Sequence, residues 1–220
     1  MAAERTAGEP ARRRALTERG ERRFEALVDA AAALLEEQGF AAVTHRAVAA
    51  RAGLPLAATT YYFGSLDELV ERALGRLARR HLDRARALAS AFPPVTPGAQ
   101  APPGELAGRL IALVTGSEEA ADQAGMLLFY ERYVQAGRRP QLRPLVDAWN
   151  AELAGLVAEA LERCGYPHRG DLPRVLIAVV DGLLIDLLVS GASDAPARAA
   201  TGLASLLGDL REGRSARAGD

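Results

Sequence analysis

Two adjacent phenols, Tyr61 and Tyr62, close a short run from Leu54 to Phe63. Their hydroxyls suit hydrogen bonding to phosphate oxygens, which fixes the register of a protein on a nucleic-acid duplex. Pro55 opens the run with a preset φ, and Leu56, Ala57 and Ala58 offer apolar contact suited to thymine methyl groups. The Thr59 hydroxyl can bond to several base edges, and Thr60 lies between it and the tyrosines. Upstream, Thr44, His45 and Arg46 open another short segment, where Thr44 can donate to a phosphate lying on a helix N-terminus. Each residue taken alone reads equally well as structure: a single tyrosine is more often a half-buried aromatic than a phosphate ligand, and Phe63 reads as core.

Other chemistries are closed. Lysine is absent, which removes Schiff bases, phosphate-loop lysines and Ser-x-x-Lys acyl transfer. His45, His81 and His168 are too scattered for a metal site, and no nucleophile elbow or glycine-rich phosphate loop occurs. No catalytic residue, metal or cofactor is therefore expected, and an all-α enzyme remains only an alternative, beside a helical interaction protein whose hairpin is structural. The single cysteine, Cys164, excludes an internal disulfide and, just ahead of Gly165, reads as a packed helix-end thiol in a reducing compartment. No apolar stretch reaches the ~18 residues of a membrane span and no signal-peptide pattern opens the chain, so a cytoplasmic protein without a membrane partner is expected.

The net charge is −1, but its sign is unevenly spread. Seven arginines face four glutamates over residues 1–23, and Arg72, Arg76, Arg79, Arg80, Arg84 and Arg86 face only Asp83 over 72–86. A local basic surface is what nucleic acid requires, although arginine runs on helices are commonly just solvated faces.

The elements that must position these residues are helical. Alanine and leucine dominate the 220 residues, and apolar side chains recur three and four apart. After a disordered basic arm over 1–18, a first helix starts at Arg19 and ends at Gly39. Thr44 caps a second helix, His45 to Ala52, and Gly53 turns the chain into a third, Pro55 to Phe63. Ser65 and Glu68 form a capping box for a long fourth helix. Five prolines between Phe92 and Gly104 make residues 92–104 a long connection, suggesting that the fourth helix is loosely tied at its far end. Further helices are expected near 104–116, 121–137, 141–164, 171–191 and 196–211, followed by a disordered tail over 212–220.

Helix, glycine turn, helix between Thr44 and Phe63 is the pattern of a helix-turn-helix. The run Leu54 to Leu69, in which a third helix ends in Tyr-Tyr-Phe before a glycine and a capped acidic helix start, resembles the tetracycline-repressor (TetR) family of bacterial regulators. The Gly39-Phe40 break and the Val48-Ala49…Ala52-Gly53 spacing are similar to it too. A late Asp181-Gly182-Leu183 extends the likeness more loosely. The resemblance implies an all-α fold: a helix-turn-helix DNA-binding domain over 19–64, then a ligand-binding and dimerisation domain over 65–211. It also implies a regulator, most often a repressor, that binds palindromic double-stranded operator DNA as a homodimer and is released by a small-molecule effector. The family often has tyrosine where this chain has Thr60, which leaves one backbone contact open and packing as the alternative for Thr60.

For the second domain, Met126, Phe129, Tyr130, Tyr133 and Trp149 gather aromatic and flexible side chains on two adjacent helices, as an effector pocket would need. Asp181 and Asp186 interrupt an otherwise apolar helix; a buried carboxylate needs a partner, so Asp181 joins the pocket candidates. Val175, Leu176, Val179, Leu183 and Leu187, with Leu203, Leu206, Leu207 and Leu210, give two apolar helices able to pair with a second copy as a four-helix bundle.

Overall fold

Alanine- and leucine-rich segments punctuated by glycine and capping residues fold into nine α-helices, with no strand, among the residues described by the computed structural model, 18–117, 123–166 and 168–218. They are α1 (Glu18–Gln38), α2 (His45–Ala52), α3 (Leu56–Tyr62), α4 (Leu66–Ala91), α5 (Pro103–Thr115), α6 (Gln123–Gly137), α7 (Arg143–Arg163), α8 (Leu172–Val189) and α9 (Ala195–Ala218). The expected limits agree within about two residues except at α9, which runs on to Ala218 instead of ending near residue 211. The arm expected over the first residues lies outside the described residues, apart from Glu18, which already belongs to α1. No helix among the described residues is long and apolar enough to cross a membrane.

Local chemistry fixes the head, α1 to α3 with the start of α4. Thr44 caps α2 by accepting from the Ala47 N–H at 3.1 Å. Gly53 takes φ +63°, and the amides of Gly53 and Leu54 close onto the carbonyls of Ala50 and Ala49 at 3.2 and 3.0 Å. Ser65 accepts from the Glu68 N–H at 3.1 Å, while the Glu68 carboxylate reaches back to the Gly64 N–H at 2.8 Å, one residue beyond the amide a standard capping box would use.

Two apolar cores form. The head core gathers Leu27, Val28 and Leu35 of α1, Val48 of α2, Phe63, and Leu69 and Ala73 of α4. It also takes in Ala136 at the end of α6 and Leu142 just before α7. The body core packs Leu106, Leu110 and Leu113 of α5 against Val157 and Leu161 of α7, Val180 and Leu184 of α8, and Leu203 of α9. Each leucine fully removed from water there contributes about 2 kcal/mol.

The proline-rich connection is tied down, contrary to the expectation of a loose far end for α4. Val95 and Ala101 donate backbone hydrogen bonds to the carbonyls of Arg163 and Cys164, both at 2.9 Å. The Gln100 amide donates to the Gly165 carbonyl at 3.1 Å, Arg163 Nε to the Phe92 carbonyl at 3.0 Å, and the Tyr166 hydroxyl to the Ala101 carbonyl at 2.9 Å. Proline removes helical bonding from the strap, and the end of α7 supplies acceptors in its place.

Much of the basic cluster on α4 is also committed internally. Arg76 and Arg80 bind Asp29 of α1 at 2.7 and 2.6 Å, Arg76 also meets Glu25, and Arg86 meets Asp83 and Glu152. These pairs hold α4 against α1 and α7.

Candidate functional site

A helix of seven residues is too short to stand alone, so α3 depends on what its inner face touches. Phe63 is buried just beyond it and stacks on Phe24 of α1, with ring centroids 5.1 Å apart. Thr59, one turn earlier on the same face, is fully buried and its hydroxyl donates to the Leu56 carbonyl at 2.8 Å. Thr59 therefore cannot reach base edges, and its assignment to them is corrected. Thr60 faces solvent, its hydroxyl donating to the Ala57 carbonyl at 3.2 Å, and is not packed.

The outward face of α3 carries Leu56, 49% exposed, Ala57, Thr60 and Tyr61, 70% exposed. Pro55 lies on the same approach, Ala58 is half-buried, and Tyr62 is half-buried with its ring edge on Phe24. Thr44 and Arg46 are exposed at the start of α2. His45 beside them is half-buried, and its Nδ1 meets no hydrogen-bond partner. Arg51, forked onto Glu37, ties α2 to the end of α1. The result is one convex, largely neutral ridge with a hydroxyl-bearing tip, held by α1, α2 and α4.

A cavity opens between α1, α4, α6 and α7, with an empty volume of about 650 Å³, its open mouth included. Leu74, Leu77, Leu145 and Val146 give it apolar walls, and Phe129, Tyr133 and Trp149 give it aromatic ones. Trp149 meets Phe129 and Tyr133 edge to face at 5.7 and 5.6 Å. Buried His81 links the wall to the core: Trp149 Nε1 donates to its Nδ1 at 3.1 Å, which leaves Nε2–H to donate to the Val114 carbonyl at 3.0 Å. Burial pushes the His81 imidazole down to about 4, the Val114 bond opposes this, and the Arg84 charge adds to it, so the ring is neutral near pH 7. Gly116, in the left-handed conformation at φ +69°, leaves room for that ring; a Cβ there would lie 2.7 Å from His81 Cδ2.

One side of the cavity is also the seam between head and body. Arg132 of α6 is half-buried, and its Nη1 donates to the carbonyls of Leu35 and Glu36 near the end of α1, at 3.2 and 3.3 Å. Leu128 packs under Gly39, and Arg139 stacks on the Phe40 ring 4.3 Å from its centroid. Glu36, Leu77, His81, Arg84 and Arg132 were not among the expected cavity residues, and all of them line it.

Of the residues expected to hold a ligand, Phe129, Tyr133 and Trp149 line the cavity, whereas Met126, Tyr130 and Asp181 do not. Met126 and Tyr130 are buried in the body core, where the Tyr130 hydroxyl donates to Asp181 at 3.1 Å. Burial pushes the Asp181 carboxyl up to about 6, against the lowering effect of that bond. Asp186 is exposed.

The residues expected at a dimer interface divide similarly. Val175 is exposed, Leu206 is at the surface, and Val179, Leu183 and Leu187 are half-buried. Leu176, Leu203 and Leu207 are buried in this chain's own core and cannot meet a second copy, which corrects their assignment. The Leu210 side chain lies outside the described residues. Ile185 and Val189, 41% and 76% exposed, extend the outer face of α8 instead. With Val175, Ala178 and Gly182 they recur at alternating intervals of three and four, the seam spacing of paired helices.

Comparison with known proteins gives two family matches. Residues 27–73 match the model described as bacterial regulatory proteins, tetR family, and residues 101–210 match the tetracyclin repressor-like C-terminal domain. Among solved structures, the multidrug binding protein EbrR complexed with imidazole is 33% identical, covers 83% of this chain and 89% of its own, and superposes with a TM-score of 0.60. EbrR complexed with ethidium is 32% identical over 82% of this chain and 98% of its own, with a TM-score of 0.56. A member of the TetR family from Streptomyces coelicolor A3, SCO1917, is 32% identical over 82% of this chain and 97% of its own, with a TM-score of 0.54. Curated protein sequences give no match.

Proposed function

Because this chain belongs to the tetracycline-repressor family of bacterial regulators, we propose that it acts by binding and not by catalysis, as a dimeric, effector-released repressor of a palindromic operator. The observation that carries the reading is the division of α3 into a buried face, Thr59 and the following Phe63, and a solvent face, Leu56, Ala57, Thr60 and Tyr61. A short helix held from behind with an uncommitted, mostly uncharged front is suited to a major groove. Leu56 and Ala57 read thymine methyls, Thr60 reads a base edge, and Tyr61 and Tyr62 with Thr44, His45 and Arg46 position the backbone.

The outer face of α8 with Leu206 of α9 joins a second copy across a two-fold axis, placing the two α3 helices about 34–36 Å apart or a multiple of it. Residues 19–64 serve as the DNA-binding unit and 65–211 as the effector and dimer unit, in the cytoplasm. The effector occupies the cavity between α4, α6 and α7, and EbrR, complexed with ethidium, supports an aromatic ligand. The strap at the end of α4 makes that end a fixed point, so a ligand shifts the population of head positions by displacing α6 and the α1 end of the seam.

Selection of bound duplex from a random pool tests the reading. A palindrome should be recovered; Tyr61→Phe should weaken binding to all sequences alike, and Leu56→Ala should relax preference at one base step. A folded protein that retains no duplex would leave the hairpin a packing element of a helical interaction protein, and duplex binding indifferent to both changes would refute the contacts assigned to α3.

A further inference from the structure

The cavity wall holds two guanidinium groups with no ion-pair partner among the described residues. Arg76, Arg80, Arg86, Arg109 and Arg163 each have a carboxylate within ion-pair distance; Arg84 and Arg132 have none. Arg84 is exposed on that wall. Arg132 uses Nη1 on two carbonyls, and its Nε and Nη2 meet no acceptor among the described residues. Glu36 and Glu131 stand near enough to favour the Arg132 charge, but burial outweighs them and lowers its pKa. His81, on the same wall, is neutral and supplies no counter-charge.

A half-buried cation with an unused bidentate fork favours a planar anion. Beside it stand three aromatic rings and four aliphatic side chains that favour a flat apolar body. We propose, resting on the reading of this cavity as the effector site, that the effector is an aromatic carboxylic acid whose carboxylate takes Nε and Nη2 of Arg132, with Arg84 as a second positive charge and its ring against Phe129, Tyr133 and Trp149. Regulation follows from the same side chain. Arg132 also holds the last carbonyls of α1, so a carboxylate that re-aims the guanidinium competes with the seating of the head on α6. A cationic dye such as the ethidium found in EbrR would instead meet two arginines against one carboxylate, Glu36, on the same cavity wall.

Isothermal titration calorimetry of the full chain with 1-naphthoate, its neutral analogue 1-naphthamide and ethidium tests this. Naphthoate should bind once per chain, at least about tenfold more tightly than the amide, and Arg132→Gln should abolish that preference while Arg132→Lys restores part of it. Arg84→Gln, at an exposed position, should weaken naphthoate alone by several-fold and covers the case in which Arg132→Gln does not fold. Equal binding of acid and amide, or binding of ethidium in place of the acid, overturns the acid class while leaving the cavity as an effector site. No binding by any of the three overturns both readings.

Discussion

Replacing Asp181 with asparagine should stabilise the protein at neutral pH relative to acid, and the size of the effect follows from where the carboxyl sits. Asp181 lies on α8 with one described hydrogen bond, from Tyr130, and burial raises its carboxyl from 3.8 to about 6. Between those values the folded protein keeps a proton that the unfolded chain has lost. Its contribution is therefore fully present below 3.8 and is lost as pH rises through about 6, a total of about 3 kcal/mol. His81 works in the opposite sense. Its folded pKa of about 4 lies below the ordinary 6.5, so its contribution is present above 6.5 and is lost as pH falls through about 4. In wild type the two nearly cancel across mild acid. Asparagine cannot ionise, so the variant keeps only the His81 dependence. Its stability relative to wild type should rise by about 2 kcal/mol from roughly pH 4.5 to 7.5, a range that misses the lowest part of the Asp181 window. Urea unfolding at both pH values, with protein concentration and ionic strength held fixed, measures it. A difference between variant and wild type that stays constant with pH would refute the reasoning, because it would mean that Asp181 titrates as a solvated carboxyl.

Other consequences are equally direct. Trp149→Phe removes the donor to His81 Nδ1, leaving a buried acceptor unpaired, and should lower unfolding free energy by about 1–3 kcal/mol in the same titration. Gly116→Ala combines left-handed backbone with a Cβ 2.7 Å from His81. It should cost more than the about 1–2 kcal/mol of the backbone alone and shift the emission of Trp149, while unchanged emission would mean that the ring yields freely. Gly165→Ala would place a Cβ 2.1 Å from the Ala99 carbonyl oxygen. The strap should detach, with faster amide exchange at Val95 and Ala101; protected amides would contradict it. Val189→Asp should dissociate the proposed dimer in sedimentation without moving the urea midpoint of the monomer, whereas Leu203→Ala should cost about 2–5 kcal/mol of stability.

The head was legible because its signals are local. Glycines, Thr44 and the Ser65–Glu68 pair act within one turn of themselves, and helix limits followed from them. Burial of Thr59 was the local feature missed, and its signal was present: Thr59 lies four residues before Phe63, a core residue, and so shares its face. The body was harder for a physical reason. Helix α8 carries apolar side chains on every side despite Arg174, Asp181 and Asp186, so composition cannot say which leucines face inward; only packing separates Leu176, Val180, Leu184 and Leu188 from the outer Val175, Ile185 and Val189. Proline density identified the strap as irregular but said nothing of its acceptors on α7, more than sixty residues away. The His81–Trp149 bond spans 68 positions and leaves no periodic trace in the sequence.

The presence of Ala136 and Leu142 in the head core bears on modularity. A graft of the first three helices onto another body would arrive with a hole where those two side chains belong, so the transplantable unit is discontinuous: the head together with the junction of α6 and α7. The exposed face of α3 is separate from that seam. Leu56, Ala57, Thr60 and Tyr61 lie on the exposed side of α3, away from buried Thr59 and Phe63, so on the proposed reading operator specificity can be rewritten while the seam is inherited intact.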